Sequence, residues 1–85
     1  MKYSVYILYS EKLDKYYIGS SHDPLLRLKY HNLGKKGWTK KGIPWRLVFQ
    51  KHFNNKEIAQ NKENFIKRQK NRTFVEKLIS GEYLL

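Results

Sequence analysis

From Tyr3 to Tyr9 the chain is dense in β-branched and aromatic residues and lacks Gly and Pro, which predicts a strand covered at least partly on both faces. Glu11 to Lys15 is polar and turn-like, and Tyr16 to Ser20 resumes the earlier character, so the pair predicts an antiparallel hairpin with an exposed turn. Asp23-Pro24 then opens a helix, because an Asp side chain accepts orphan backbone N–H groups and Pro at the first helical position loses nothing. That helix is expected from Pro24 to about Leu33, with Leu25, Leu26 and Leu28 as its buried stripe and Gly34 as the left-handed residue beyond it.

Lys35 to Pro44 combines Gly, Pro and several lysines and reads as a basic loop without periodicity. Trp45 to Phe53 alternates imperfectly, with Trp45, Leu47 and Phe49 apolar against Arg46 and Gln50, and predicts a third strand. Asn54 and Glu57 have the spacing of a capping box, opening a helix whose core face would carry Ile58, Ala59, Phe65 and Ile66. Asn71 is the expected break before a short last helix, where Phe74, Val75, Leu78 and Ile79 form an apolar face ahead of Ser80-Gly81. Two strands, a helix, a strand and two helices predict an α+β domain around a small, mainly antiparallel sheet. No repeat or linker divides it, so residues 1–85 read as one domain.

Composition narrows the class of function. Eighty-five residues suffice for one compact core, and seven Tyr, four Phe and two Trp supply the large apolar side chains for it. The absence of cysteine removes disulfides and thiolate zinc sites as sources of stability and fits a reducing cytoplasm. The apolar stretch at the N-terminus ends at Ser10-Glu11-Lys12, well short of a membrane span, so neither a signal peptide nor an anchor is expected. Eighteen Lys and Arg against seven Asp and Glu give a net charge of +11, a field that favours a polyanionic partner, nucleic acid first.

The candidate chemistry is a constellation. Tyr6 and Tyr17 lie on the two strands of the hairpin, where antiparallel pairing can bring them together on one face. Arg27 and His31 are four residues apart and share a helix face. A guanidinium presents a planar fork of donors that matches two phosphate oxygens, and an imidazole exchanges protons near neutral pH. Glu63 sits at the border of an apolar stripe, between Ala59 and Ile66; it can pair with Lys67 at i+4, or hold a divalent cation such as Mg²⁺ or Mn²⁺ that keeps water and a phosphate oxygen.

Taken together, Ser4-Val5-Tyr6, Tyr17-Ile18-Gly19, Arg27-Leu28, His31-Asn32 and the segment Ala59 to Lys67 resemble the GIY-YIG nuclease superfamily over most of the chain. Within it the chain is similar to small single-domain bacterial proteins related to the nuclease domain of the excision-repair protein UvrC. The resemblance implies a three-stranded antiparallel sheet flanked by about three helices, with the active site on one face of the sheet. It implies Tyr6, Tyr17, Arg27 and His31 as catalytic positions and Glu63 as catalytic and metal-binding. Two departures stand out: Ser4 replaces the first glycine of the motif, and Ser20 stands where some relatives carry a lysine. A later family asparagine falls near Asn71 or Val75.

The function so implied is a metal-dependent DNA endonuclease, structure-selective and linked to DNA repair or recombination, with RNA left open as a substrate. Glu63 would anchor one Mg²⁺ or Mn²⁺, Arg27 would bind the scissile phosphate, and Tyr6 or Tyr17 would orient or deprotonate the attacking water. Because a free tyrosine titrates near pH ~10, the metal, Arg27 or His31 would have to assist. Lys35, Lys36, Lys40 and Lys41 on one side, and Lys67, Arg68, Lys70 and Arg72 on the other, are the expected phosphate contacts, while Trp38 can either stack on an unpaired base or anchor its loop. Alternatives are a non-cleaving nucleic-acid-binding module and an adaptor whose specificity comes from a partner protein.

Overall fold

In the computed structural model, which describes residues 2–34 and 37–85, β1 (Tyr3–Ser10) is the central strand of a three-stranded antiparallel sheet. It lies between β2 (Lys15–Ser21) and β3 (Trp45–Phe53). The register pairs Tyr6 with Gly19 and Leu8 with Tyr17 across the hairpin, and Ser10 with Trp45 on the other side. Because side chains alternate along a strand, Tyr6, Leu8 and Tyr17 share one face while Val5, Ile7 and Ile18 share the other. Each face has its own core. Helix α1 (Pro24–Asn32) and a 3₁₀ turn at Trp38–Gly42 cover the face of Tyr6, Leu8 and Trp45. Helices α2 (Lys56–Gln69) and α3 (Arg72–Ser80) cover the other with Ala59, Ile66, Val75 and Leu78. Among the described residues no helix is long and apolar enough to cross a membrane.

The imperfect alternation of the third strand has a geometric cause. Ile7 pairs with Phe49 but Leu8 pairs with Leu47, so Val48 is an extra residue in β3, a bulge. Trp45 and Leu47 therefore pack on the α1 side, while Val48, Phe49 and Phe53 pack beneath α2 and α3.

Three local expectations are corrected. The buried stripe of α1 is not Leu25 and Leu26, which are 62% and 55% exposed. Pro24, Leu28 and His31, spaced i, i+4, i+7, face the sheet with half-buried Arg27 beside them. The α2 cap is Asn55 rather than Asn54, since the Asn55 side chain accepts a hydrogen bond from the Ile58 N–H at 2.9 Å; Ile58 itself is partly exposed. Residues 38–42 form a 3₁₀ turn instead of an irregular loop, anchored by the Trp45 indole donating to the Thr39 carbonyl and the Ser10 hydroxyl donating to the Gly42 carbonyl. By contrast Asn71 does separate α2 from α3, its side chain accepting from the N–H groups of Thr73 and Phe74, and Gly34 takes up positive φ after α1.

Candidate active site

The sheet register brings the two tyrosines of the sequence pattern together. Tyr6 is diagonal to Tyr17, their rings stacked with centroids 6.3 Å apart. Directly across from Tyr6 lies Gly19, and the Tyr6 ring passes over it so closely that a Cβ there would meet the phenol oxygen at 2.6 Å. The glycine thus lets the phenol extend to the edge of the sheet, where Arg27 from α1 engages its oxygen. Arg27 also lies over the Tyr30 ring, 4.7 Å from its centroid, which fixes the guanidinium plane.

Glu63 reaches the same edge from the opposite face. Its helix, α2, packs on β1 and β2, and the Glu63 side chain is only 15% exposed. Ser20 Oγ donates to Glu63 Oε1 at 2.6 Å, and Lys67 Nζ donates to Oε2 at 2.5 Å. Ser20, standing where some relatives carry a lysine, therefore holds the carboxylate directly. The i,i+4 pairing with Lys67 is present as well. Tyr6, Tyr17, Arg27 and Glu63 all line one open cleft of about 390 Å³ at the β2 edge.

Burial raises the Tyr6 pKa above its ordinary value, a shift that Arg27 only partly offsets. Tyr6 is consequently a neutral phenol at physiological pH. The same contact raises the pKa of Arg27, keeping it a fixed positive charge. His31 is 6% exposed and tilted against Tyr17 with ring centroids 4.5 Å apart. Burial first, and Arg27 second, lower its pKa, so the imidazole is neutral. It does not line the cleft of Glu63 but a neighbouring one, which shares Tyr17 and Arg27.

Tyr3, His22 and Gln60 also line the cleft of Glu63 and were not singled out from the sequence. Gln60 lies one helical turn before Glu63, and that i, i+3 spacing was a usable signal. His22 follows the last residue of β2, and no sequence pattern marks it. Ser4, in the position of the motif's first glycine, is buried and hydrogen-bonded to His52 Nδ1 on β3, which gives its hydroxyl a structural use. Neither candidate for the family asparagine enters the cleft, since Asn71 caps α3 and Val75 is core.

The expected phosphate-binding residues divide between the two faces of the sheet. Lys40 and Lys41 are exposed on the 3₁₀ turn, and Lys35 and Lys36 lie outside the described residues. Arg68 and Lys70 are exposed at the end of α2. Lys67 is taken up by Glu63, and Arg72 by Asp14 and Glu76, with Arg72 Nη2 2.5 Å from the Asp14 carboxylate. The two bound cations are therefore less available to a phosphate than their charge suggests.

Residues 2–77 match the model of the GIY-YIG catalytic domain. A UPF0213 protein of Streptococcus pneumoniae serotype 4, strain TIGR4, is 36% identical over 72 residues, covering 82% of this chain and 73% of that protein. The UPF0213 protein spr1390 of S. pneumoniae strain R6 matches to the same extent. The solution NMR structure of the UPF0213 protein BH0048 from Bacillus halodurans superposes with a TM-score of 0.60 at 33% identity, covering 94% of this chain and 84% of that one.

Proposed function

The chain belongs to the GIY-YIG catalytic-domain family, and from that premise we propose that it is a divalent-metal-dependent endonuclease acting on DNA, of the structure-selective kind used in repair or recombination. The observation that carries the proposal is the convergence of the Glu63 carboxylate, the Arg27 guanidinium and the phenols of Tyr6 and Tyr17, with Tyr3 beside them, on a single cleft, supplied by elements from both faces of the sheet.

The donor set suits a hard cation. Glu63 contributes a carboxylate, Ser20 and Gln60 contribute neutral oxygens nearby, and no group of three His, Cys, Asp or Glu side chains converges among the described residues. Such a site favours Mg²⁺ or Mn²⁺, which keep much of their water and are commonly held by one or two carboxylates plus a substrate phosphate. The bound ion would supply charge neutralisation at the phosphate and at the leaving oxygen. Lys67, whose side chain is half exposed, would have to leave Glu63 Oε2 for the ion to share the carboxylate.

Arg27 is the phosphate ligand, its guanidinium pre-oriented by Tyr6 and Tyr30, and it stabilises the negative charge that builds on phosphorus-bound oxygens. Tyr6, neutral and buried, positions Arg27 instead of taking a proton. Tyr17, at the junction of the two clefts, orients the attacking water. The water oxygen bonds to phosphorus as the bond to the sugar oxygen breaks, and a proton from the water ends on that leaving oxygen. His31 backs the Tyr17 ring and keeps it in place.

A second reading, a module that binds nucleic acid without cutting, is favoured by one observation: both oxygens of Glu63 are already satisfied by Ser20 and Lys67. Labelled linear, nicked, flapped and branched DNAs, incubated with wild type and with Glu63→Ala in Mg²⁺, Mn²⁺ or EDTA, separate the two. We expect metal-dependent cleavage by wild type and a loss of at least about 10²-fold in Glu63→Ala, comparable to removing an electrostatic stabiliser of the transition state. Equal binding by both proteins with no cleavage of any substrate would establish the module in place of the nuclease.

A further inference from the structure

The neighbouring cleft, of about 360 Å³ between α1 and the 3₁₀ turn, is walled by the rings of Tyr17, Tyr30, His31 and Trp38, with Arg27 at its boundary with the active cleft. Trp38 remains 49% exposed, whereas Trp45 is 3% exposed and its indole N–H is bonded to Thr39, so Trp45 is the residue that anchors the turn. Trp38 and Tyr17 present tilted rings with centroids 6.1 Å apart. His31 has a buried Nε2 with no hydrogen-bond partner among the described residues. A buried polar atom left unpaired costs free energy, and a ligand edge that reaches it after a small shift of the residues covering it would relieve that cost.

We propose that this cleft is a nucleobase subsite, seating one unpaired base of the nucleic acid against Trp38 and Tyr17 with its polar edge toward His31, while Arg27 holds the adjoining phosphate. The placement rests on the nuclease reading for which phosphate is cut, but base binding does not depend on cutting. A flat base joined through its sugar to a phosphate matches aromatic walls, one unpaired imidazole nitrogen and a guanidinium shared with the phosphate site. A base inside a duplex is stacked and paired, so the substrate class this selects has an unpaired nucleotide beside the scissile bond.

The test is carried out in EDTA, where no cleavage intervenes. Single strands bearing one 2-aminopurine, the same strands with an abasic site at that position, and fully paired duplexes of equal length are titrated with wild type, Trp38→Ala and Trp38→Phe. We expect quenching of the 2-aminopurine by wild type, affinity lowered about 5- to 100-fold in Trp38→Ala, and most of it kept in Trp38→Phe, as base stacking on an aromatic ring requires. The abasic strand and the duplex should bind wild type more weakly than the intact strand. Equal affinity of wild type for all three nucleic acids would overturn the proposal, and that comparison holds even if Trp38→Ala does not fold. Cleavage in Mn²⁺, with Glu63→Ala as control, is scored separately. Base-dependent binding without cleavage removes the nuclease reading and leaves the subsite, whereas cleavage without base-dependent binding does the reverse.

Discussion

A methyl group on Gly19 would lie 2.6 Å from the Tyr6 phenol oxygen and 2.7 Å from the carbon that bears it, contacts no real Cβ tolerates. Gly19→Ala should destabilise the fold by about 1–3 kcal/mol through overpacking and lower cleavage more than about tenfold by displacing the partner of Arg27. A double-mutant cycle in urea with Tyr6→Leu, which shortens the obstructing side chain, should show the pair less destabilised than the sum of the singles. Additivity would mean that the ring and the glycine do not share this space. His31 yields a pH dependence of known sign. Its folded pKa lies below the ordinary 6.5, so the unfolded chain takes up a proton that the folded chain resists. Stability should therefore fall as pH drops below about 6.5 toward the folded value, and His31 should contribute nothing to the slope well above that range. Urea unfolding from about pH 5 to about pH 7.5 should show a shallower acid loss in His31→Phe than in wild type.

At the scale of elements, the helix starts separate what local sequence specifies from what packing decides. Asn71 satisfies two backbone donors of α3, so Asn71→Ala should cost about 0.5–2 kcal/mol in urea denaturation. An unchanged midpoint would show that α3 is held by Val75 and Leu78 alone. Strands, helices and their order were legible because apolar periodicity and turn residues carry them. The face of α1 was legible only at Leu28, because its buried line runs from Pro24 through Leu28 to the polar His31, and hydrophobicity points also to Leu25 and Leu26, which are left exposed. Asn54 and Asn55 are equally able to cap, so the choice between them fell to the docking of α2. In the candidate site, the motif spacing led to Tyr6, Tyr17, Arg27 and Glu63, while the bond from Ser20 to Glu63 joins residues 43 apart and has no local signal.

For the molecule as a whole, a net charge of +11 predicts binding that weakens with salt, yet its basic groups are not equivalent. Each phosphate contact to a single strand contributes about 0.7 to the slope of log affinity against log salt. Replacing Lys40 and Lys41 together should reduce that slope by about 1.4 if each meets a phosphate. Arg72→Ala should leave the slope nearly unchanged and instead loosen the β1–β2 turn, because its guanidinium is bonded to Asp14 and lies over Tyr16. Fluorescence anisotropy across a salt series checks both; a large slope change for Arg72→Ala would place that residue at the nucleic acid.

The extra residue in β3 also governs which changes of chain length the protein tolerates. Val48 shifts the alternation of β3 midway, so Trp45 and Leu47 serve one core and Phe49 and Phe53 the other. Deleting Val48 would leave a regular strand in which every other residue keeps its partner and its face, Trp45 opposite Ser10 included, and would remove only one half-buried side chain from beneath α2 and α3. A relative lacking one residue at this point can therefore keep both cores and the same 3₁₀ turn, so a one-residue gap at the bulge marks a regularised strand and leaves the architecture unchanged.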